Sequence, residues 1–300
     1  MAGASDTAPL LVCDRPSFVG HPRELGKIEA NGALVILVGD WSPLFALVAG
    51  QLRLGSGKLE LGGVNAEDAA ATGKVGLMLA DTPLPHNQKL GDVLTDSARL
   101  LGLARREAAQ HALHKAAELG LNERMSRRID ALSPAEQRAA AITMAVLGDP
   151  PVVCLDGPFA GLEPTGHAYI ASLLRRALRG RRALVSVASV PGSIEQDAYT
   201  QSADELLVLG TLGLVARGPH SDLLASGSGY RVVVARQADA LLTRLTQAGY
   251  QVKLVTARAV TALLVSDPSR AGTPGIVEAA LAADAPILEL VPLDLGLAER

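Results

Sequence analysis

Aromatic residues are scarce in this chain of 300 residues: Phe, Tyr and Trp together make up 3% of it, and there is a single Trp. A reader of nucleic acid carries a basic face and stacking aromatics. Here the formal charge is −3, so no strong attraction to DNA or to anionic lipid is expected, and no nucleic-acid partner. Cysteine is nearly absent as well. Cys13 and Cys154 stand far apart without metal-ligand spacing, which reads as two reduced thiols of an intracellular protein. Long hydrophobic runs are missing: the apolar stretches at 32–39 and 150–155 fall far short of the roughly 20 residues a spanning helix takes. The first 24 residues hold acids and prolines and lack a basic start followed by an apolar stretch, so no signal peptide is expected. These absences point to a cytoplasmic chain, peripheral to the membrane only through a partner.

What is present is apolar bulk, 48% of the chain, rich in Ala, Leu and Val, as in α/β proteins whose parallel strands are covered on both faces. Apolar runs of strand length recur at 33–38, 58–61, 75–79, 152–155, 183–187, 205–209 and 212–216. Several are bounded by Gly or Pro and followed by helical periodicity, the βα alternation of a layered domain. From Gly91 to Leu147 apolar positions recur at three and four residues, through Val93, Leu94, Leu100, Leu101, Leu113, Ala117 and Leu119. That spacing predicts three helices starting near Gly91, Arg105 and Pro134, the last with Ser133 as N-cap. A hinge is expected at 227–229. Beyond it come strand 230–236, helix 238–248, strands 250–256 and 260–266, helix 274–283 and strand 287–293. This βαββαβ order describes a ferredoxin-like unit. The expected domains are 1–226, with a helical subdomain at about 91–147, and 230–300.

The most specific stretch is 131–164, ALSPAEQRAAAITMAVLGDPPVVCLDGPFAGLEP. Through it the chain resembles the ATP-binding-cassette (ABC) ATPases, whose pattern runs LSGGQ-x-QR, helix, GDP, an apolar strand ending in LDEP, then AGLDP. Leu132 stands 24 residues before Asp156, the family spacing, and Gly148-Asp149-Pro150, Pro158, Ala160-Gly161-Leu162 and Pro164 fall in place. Ala49-Gly50, Gly55-Ser56-Gly57-Lys58, Leu61-Gly62-Gly63 and Ala216-Arg217-Gly218-Pro219 follow in family order. The ending ILELVPLDLGLAER is similar to the tail of the export-type branch, which carries an appended module. The resemblance implies an α/β, P-loop NTPase-like ABC ATPase fold with a helical subdomain, plus a small α+β ferredoxin-like C-terminal domain.

The chemistry of that family needs residues this chain lacks. A P-loop cradles phosphates with glycine N–H groups at a helix N-terminus; its Lys neutralises them and its Ser or Thr holds Mg²⁺. The corresponding turn is Gly39-Asp40-Trp41-Ser42-Pro43-Leu44. It has no Lys and is about four residues short with Ala49-Gly50 as anchor. Asp40 sets negative charge near the expected phosphates, Trp41 crowds them, and Ser42 reads as an N-cap more than an anion contact. Lys58, followed by Leu59, is a decoy whose turn leads into a strand. Resemblance makes Asp156 the carboxylate that holds Mg²⁺ through water, and it puts Gly157 where the glutamate that polarises the attacking water belongs. The glutamine-loop position falls on Ala80 and the switch-histidine position on Ala188. Ser133 keeps its signature place beside Pro134 and Ala135, which replace two glycines, and Glu163 replaces an aspartate. Phe18 stands either at the adenine-stacking position or in the core. The nucleotide-binding remnants are thus Gly39, Ser42, Ser133, Asp156 and Phe18, with Asp156 a metal ligand only if Mg-nucleotide binds. No catalytic residue and no cofactor are expected, with ATP and Mg only as residual ligands. His111 and His114 read as solvated surface, and Arg175, Arg176, Arg179, Arg181 and Arg182 as cations at a helix C-terminus.

The expected role is that of a catalytically degenerate subunit acting as a structural and coupling partner in a membrane transporter complex. Its partners would be a membrane permease subunit and a homologous ABC ATPase subunit, as homodimer or heterodimer. Leu84, Leu90 and Val93 are expected to line the permease groove. Two alternatives stay open: a non-consensus ATPase built on Asp156 and Ser133 that powers export, and a small-ligand sensor using the C-terminal domain.

Overall fold

Strands buried on both faces read as unbroken apolar runs, and such runs make the central sheet. In the computed structural model, which describes residues 8–187, 194–210, 213–219, 228–257, 260–267 and 273–292, the chain divides into two units, Met1–Gly218 and Pro219–Arg300. The first begins with short antiparallel strands, β1 (Leu11–Phe18), β2 (His21–Glu24) and β3 (Lys27–Ala30). Then come β4 (Leu34–Val38), α1 (Ser42–Val48), β5 (Leu54–Leu61), β6 (Val64–Asn65), α2 (Ala66–Ala69) and β7 (Val75–Met78). The helical stretch supplies α3 (Leu90–Leu100), α4 (Arg105–Leu119) and α5 (Pro134–Val146). The unit closes with β8 (Val152–Leu155), α6 (Pro164–Ala177), β9 (Arg182–Val187), α7 (Ile194–Gln201), β10 (Glu205–Gly210) and β11 (Gly213–Gly218).

Two sheets result. The larger has the order β11-β10-β4-β9-β8-β7, with β10, β4, β9, β8 and β7 mutually parallel and β11 antiparallel at one edge. All four residues of β8 are buried. The smaller sheet, β2-β1-β5-β6 with β3 on β1, is antiparallel. One core joins Leu11, Ile28 and Leu59 of the small sheet to Leu37, Leu184 and Leu207 of the large one, with Trp41 and Phe45 between. The three expected helices appear where the periodicity placed them, and Ser133 is the N-cap of α5. Lys115 of α4, 4% exposed, donates to Asp149 at 2.8 Å and to Glu118 at 2.9 Å, and Asp149 also accepts from Arg181. A buried ammonium persists only when paired in this way.

The second unit runs β12 (Ser228–Val234), α8 (Ala238–Gln247), β13 (Gln251–Ala257), β14 (Val260–Asp267), α9 (Thr273–Ala282) and β15 (Ile287–Pro292). Its order, β13-β14-β12-β15, is antiparallel throughout and is ferredoxin-like. Leu241 and Leu245 of α8 and Ile276 and Ala280 of α9 pack on Val232, Leu263 and Val265. The units part between Gly218 and Pro219, and the expected end at residue 226 lies outside the described residues. Of the expected hinge at 227–229, Ser228 and Gly229 belong to β12, paired with Asp267 and Ser266, and Gly227 lies outside the described residues.

Candidate functional site

Parallel strands deliver their C-terminal ends to one edge of a sheet, where open α/β sheets bind ligands. Gly39 follows β4, Asp156 follows β8 and Ala80 follows β7; Ala188, after β9, lies outside the described residues. The edge therefore gathers the positions at which the family resemblance expects a nucleotide.

The turn after β4 is filled from inside. Gly39 has φ +99°, and a Cβ there would meet the Leu209 carbonyl oxygen at 2.3 Å, so only glycine fits. Trp41, 1% exposed, donates its Nε1–H to the Val38 carbonyl at 3.0 Å and lies in the core beside Leu44 and Phe45. Asp40 Oδ1 accepts from the Ser42 amide at 3.1 Å and from the Ser42 hydroxyl at 2.6 Å. Pro43 has no N–H to offer. The N-cap of α1 is Trp41, with φ −102°, not Ser42 as the sequence suggested. Ser42 is the first helical residue, and the cap-like acceptor is Asp40, an arrangement common for aspartate ahead of a turn.

The turn after β8 is held by the side chains of Ser186 and Arg138. Ser186, 6% exposed, donates its hydroxyl to Asp156 Oδ1 at 2.7 Å and accepts the Gly157 amide at 2.7 Å. Arg138 of α5 donates to the carbonyls of Gly157 at 2.9 Å and Ala160 at 3.1 Å. Burial pushes the Arg138 guanidinium pKa down, with the Asp156 carboxylate opposing the shift. Gly157 has φ +55°, a left-handed conformation that a glutamate adopts only under strain. Beside it, Thr82 binds both the amide and the carbonyl of Leu79 through its hydroxyl, at 2.9 and 2.8 Å, next to the Ala80 of the glutamine-loop position.

Ser133 stands at the start of α5. Its hydroxyl accepts from the Glu136 amide at 3.3 Å while Glu136 Oε2 accepts from the Ser133 amide at 2.8 Å, a reciprocal capping box. Burial alone would raise the Glu136 carboxyl, but the Arg124 guanidinium and the Ser133 hydrogen bonds outweigh it and hold it below the ordinary range. Ser133, Pro134, Ala135, Glu163 and Tyr169 line a cleft of about 690 Å³. A second cleft, of about 420 Å³, is lined by Ala80, Leu84, His86 and Arg138. The two share Pro134, Gly161 and Leu162.

Several expected site residues are elsewhere. Phe18 is 4% exposed and packs in the core, edge-on to His21. Leu84 lines the smaller cleft, whereas Leu90 and Val93, 0% and 4% exposed, are buried on α3. His111 is half-buried, its Nε2 against the Leu147 carbonyl, rather than solvated. Cys13 and Cys154 are buried free thiols, each pushed up to about 12 by desolvation. Among the described residues no cluster of three or more His, Cys, Asp or Glu could hold a metal ion. Arg138 and Ser186 escaped the sequence reading. The available signal was polarity out of place: a serine inside the apolar run of β9 and an arginine among the alanines of α5.

Comparison with known proteins agrees with the fold. The family model described as ABC transporter matches residues 34–160. ATP-binding cassette sub-family A member 7 of Mus musculus is 31% identical over 165 residues, 52% of this chain and 7% of its own length. Energy-coupling factor transporter ATP-binding protein EcfA2 of Bacillus licheniformis is 29% identical over 181 residues, 59% of this chain and 60% of its own length. The chain thus spans less than two thirds of the length of each of these curated relatives. Among solved structures, cbiO1 from Clostridium perfringens, part of the ABC transporter complex cbiONQ, superposes with a TM-score of 0.61 at 18% identity, over 73% of this chain and 91% of its own. An ATP-binding subunit of an ABC transporter does so with 0.57 at 19% identity, over 72% and 92%.

Proposed function

The chain belongs to the ABC transporter family through the nucleotide-binding domain of its first unit, and from that premise we propose that it serves a membrane transport complex without hydrolysing ATP itself. The observation that carries this reading is the Trp41 indole, packed into the core at the turn where a P-loop would hold phosphates. Mg-ATP does not fit the donor set there. The Ser42 amide and hydroxyl are spent on Asp40, residues 39–44 contain no Lys, and Asp40 adds a negative charge where anions would sit. Across the edge, Gly157 carries no side chain to orient a water. Each lost stabiliser of a transferred phosphoryl group costs roughly two to three orders of magnitude in rate, although such losses do not simply multiply.

In this proposal the chain acts as a scaffold and coupling element. It pairs with a homologous cassette, a second copy or a different one, and docks under a membrane permease with Leu84 near the contact. Membrane association then comes from the permease; among the described residues no helix is long and apolar enough to cross a bilayer. The test is hydrolysis by the purified chain in millimolar Mg-ATP. Turnover at background is expected; Mg-dependent turnover that vanishes in Asp156→Ala would overturn the reading in favour of a rebuilt ATPase. For the partner, affinity purification from solubilised membranes of the chain's own host is expected to recover a polytopic membrane protein; recovery of the chain alone would contradict the coupling role.

A further inference from the structure

We propose that Arg138 and Ser186 form a built-in lock on the 156–161 turn, so that Asp156 serves as an acceptor inside the protein and not as a ligand for a divalent cation. The inference deepens the non-hydrolysing reading and rests on it.

A carboxylate at the end of a buried strand needs compensation, because desolvating an unpaired charge is costly. Here the compensation is supplied by side chains. Ser186 Oγ bridges Asp156 Oδ1 and the Gly157 amide, both at 2.7 Å. One residue on, the Gly157 carbonyl accepts from Arg138 at 2.9 Å and from the Ala160 amide at 2.9 Å, and the Ala160 carbonyl accepts the other arm of the guanidinium at 3.1 Å. The planar fork of arginine suits this double grip on two carbonyls of one turn, which a lysine's point charge would not reproduce. The Asp156 amide is tied to the Met78 carbonyl at 2.8 Å, so the carboxylate cannot swing with its backbone. Behind the turn, Phe159 packs against His167 and Tyr199, with ring centroids 5.5 and 5.7 Å away. The guanidinium lies within electrostatic reach of Asp156. The turn is therefore ordered from within, by contacts that require neither phosphate nor metal.

The lock is tested by hydrogen exchange on the full chain, read at the Gly157 and Ala160 amides, in Arg138→Gln, Ser186→Ala and the double variant. Hydrogen bonds to a charged group contribute enough that each single change should cost about tenfold in protection. Because both anchors hold one turn, the double variant should lose little more than the worse single one. Magnesium chloride alone, at millimolar concentration, should leave wild-type protection unchanged. Protection that survives both single changes, losses that multiply independently, or a gain in Gly157 protection on adding magnesium would each overturn the lock. Should Arg138→Gln fail to fold, Arg138→Lys takes its place: it keeps the charge and loses the fork, and the same tenfold loss is expected. Failure here is distinct from failure of the wider reading, since it would leave the chain unable to hydrolyse ATP, whereas ATP turnover would remove the premise.

Discussion

Trp41→Ala is the perturbation that probes the filled turn most severely. The indole is 1% exposed, and an aromatic side chain of this kind buries about 150–250 Å². At about 25 cal/mol per Å² that is roughly 4–6 kcal/mol as an upper bound. Measured truncations of buried Trp and Phe cost about 3–5 kcal/mol once the cavity is included. The Nε1–H bond to Val38, 3.0 Å long, contributes about 1 kcal/mol, part of which water entering the cavity would return. The expected loss is therefore about 4 kcal/mol, a large share of the roughly 5–15 kcal/mol typical of a domain. In a unit of this size it should lower the melting temperature by about 8–16 °C. Because Trp41 is the only tryptophan, the variant must be followed by far-ultraviolet circular dichroism during urea unfolding. The cavity should not become a nucleotide site, since Asp40 remains and no Lys is added. A loss below about 1 kcal/mol, or thermal stabilisation of the variant by Mg-ATP, would refute the view that the indole is an integral plug.

Other residues give milder and equally directional outcomes. Gly157→Glu restores the family's residue but places a side chain at φ +55°; it should destabilise by about 1–2 kcal/mol in urea unfolding and yield no ATPase activity. Ser133→Ala removes the hydroxyl that caps α5 and should cost about 1 kcal/mol in the same assay. Burial would raise the Asp149 carboxyl, but Lys115 and Arg181 hold it below its ordinary 3.8. Its contribution is therefore fully present above pH 3.8 and is lost as the pH falls through the lower folded value. Asp149→Asn should accordingly lose stability at neutral pH and show a flatter acid limb than the wild type in melts between about pH 2 and 5.

The parallel strands were readable because burial on both faces writes itself as unbroken runs, such as Val152–Leu155 and Leu34–Val38. Of the small antiparallel sheet only the run at 58–61, in β5, was. In β1 the alternation breaks at Asp14, Arg15 and Pro16, where Arg15 has φ +47° and the register with β5 shifts between Asp14 and Ser17. That irregularity erases the period of two on which a strand reading depends. Leu90 and Val93 show the limit of helical periodicity: it identifies an apolar face on α3 but not whether the chain covers that face itself, as it does here. At the site, the losses at residues 39–44 and at Gly157 were legible as missing residue types. What replaced them was not, because Arg138 and Ser186 reach the turn from α5 and β9, 18 and 30 positions away from Asp156 in sequence, and only the fold brings them together.

Titration calorimetry of the purified chain with Mg-ATP, carried to millimolar nucleotide, tests the central claim most directly. With Trp41 seated in the core and the Ser42 donors bound to Asp40, the account predicts no saturable heat. A saturable binding isotherm would contradict it and show that the turn after β4 opens to present donors to phosphate.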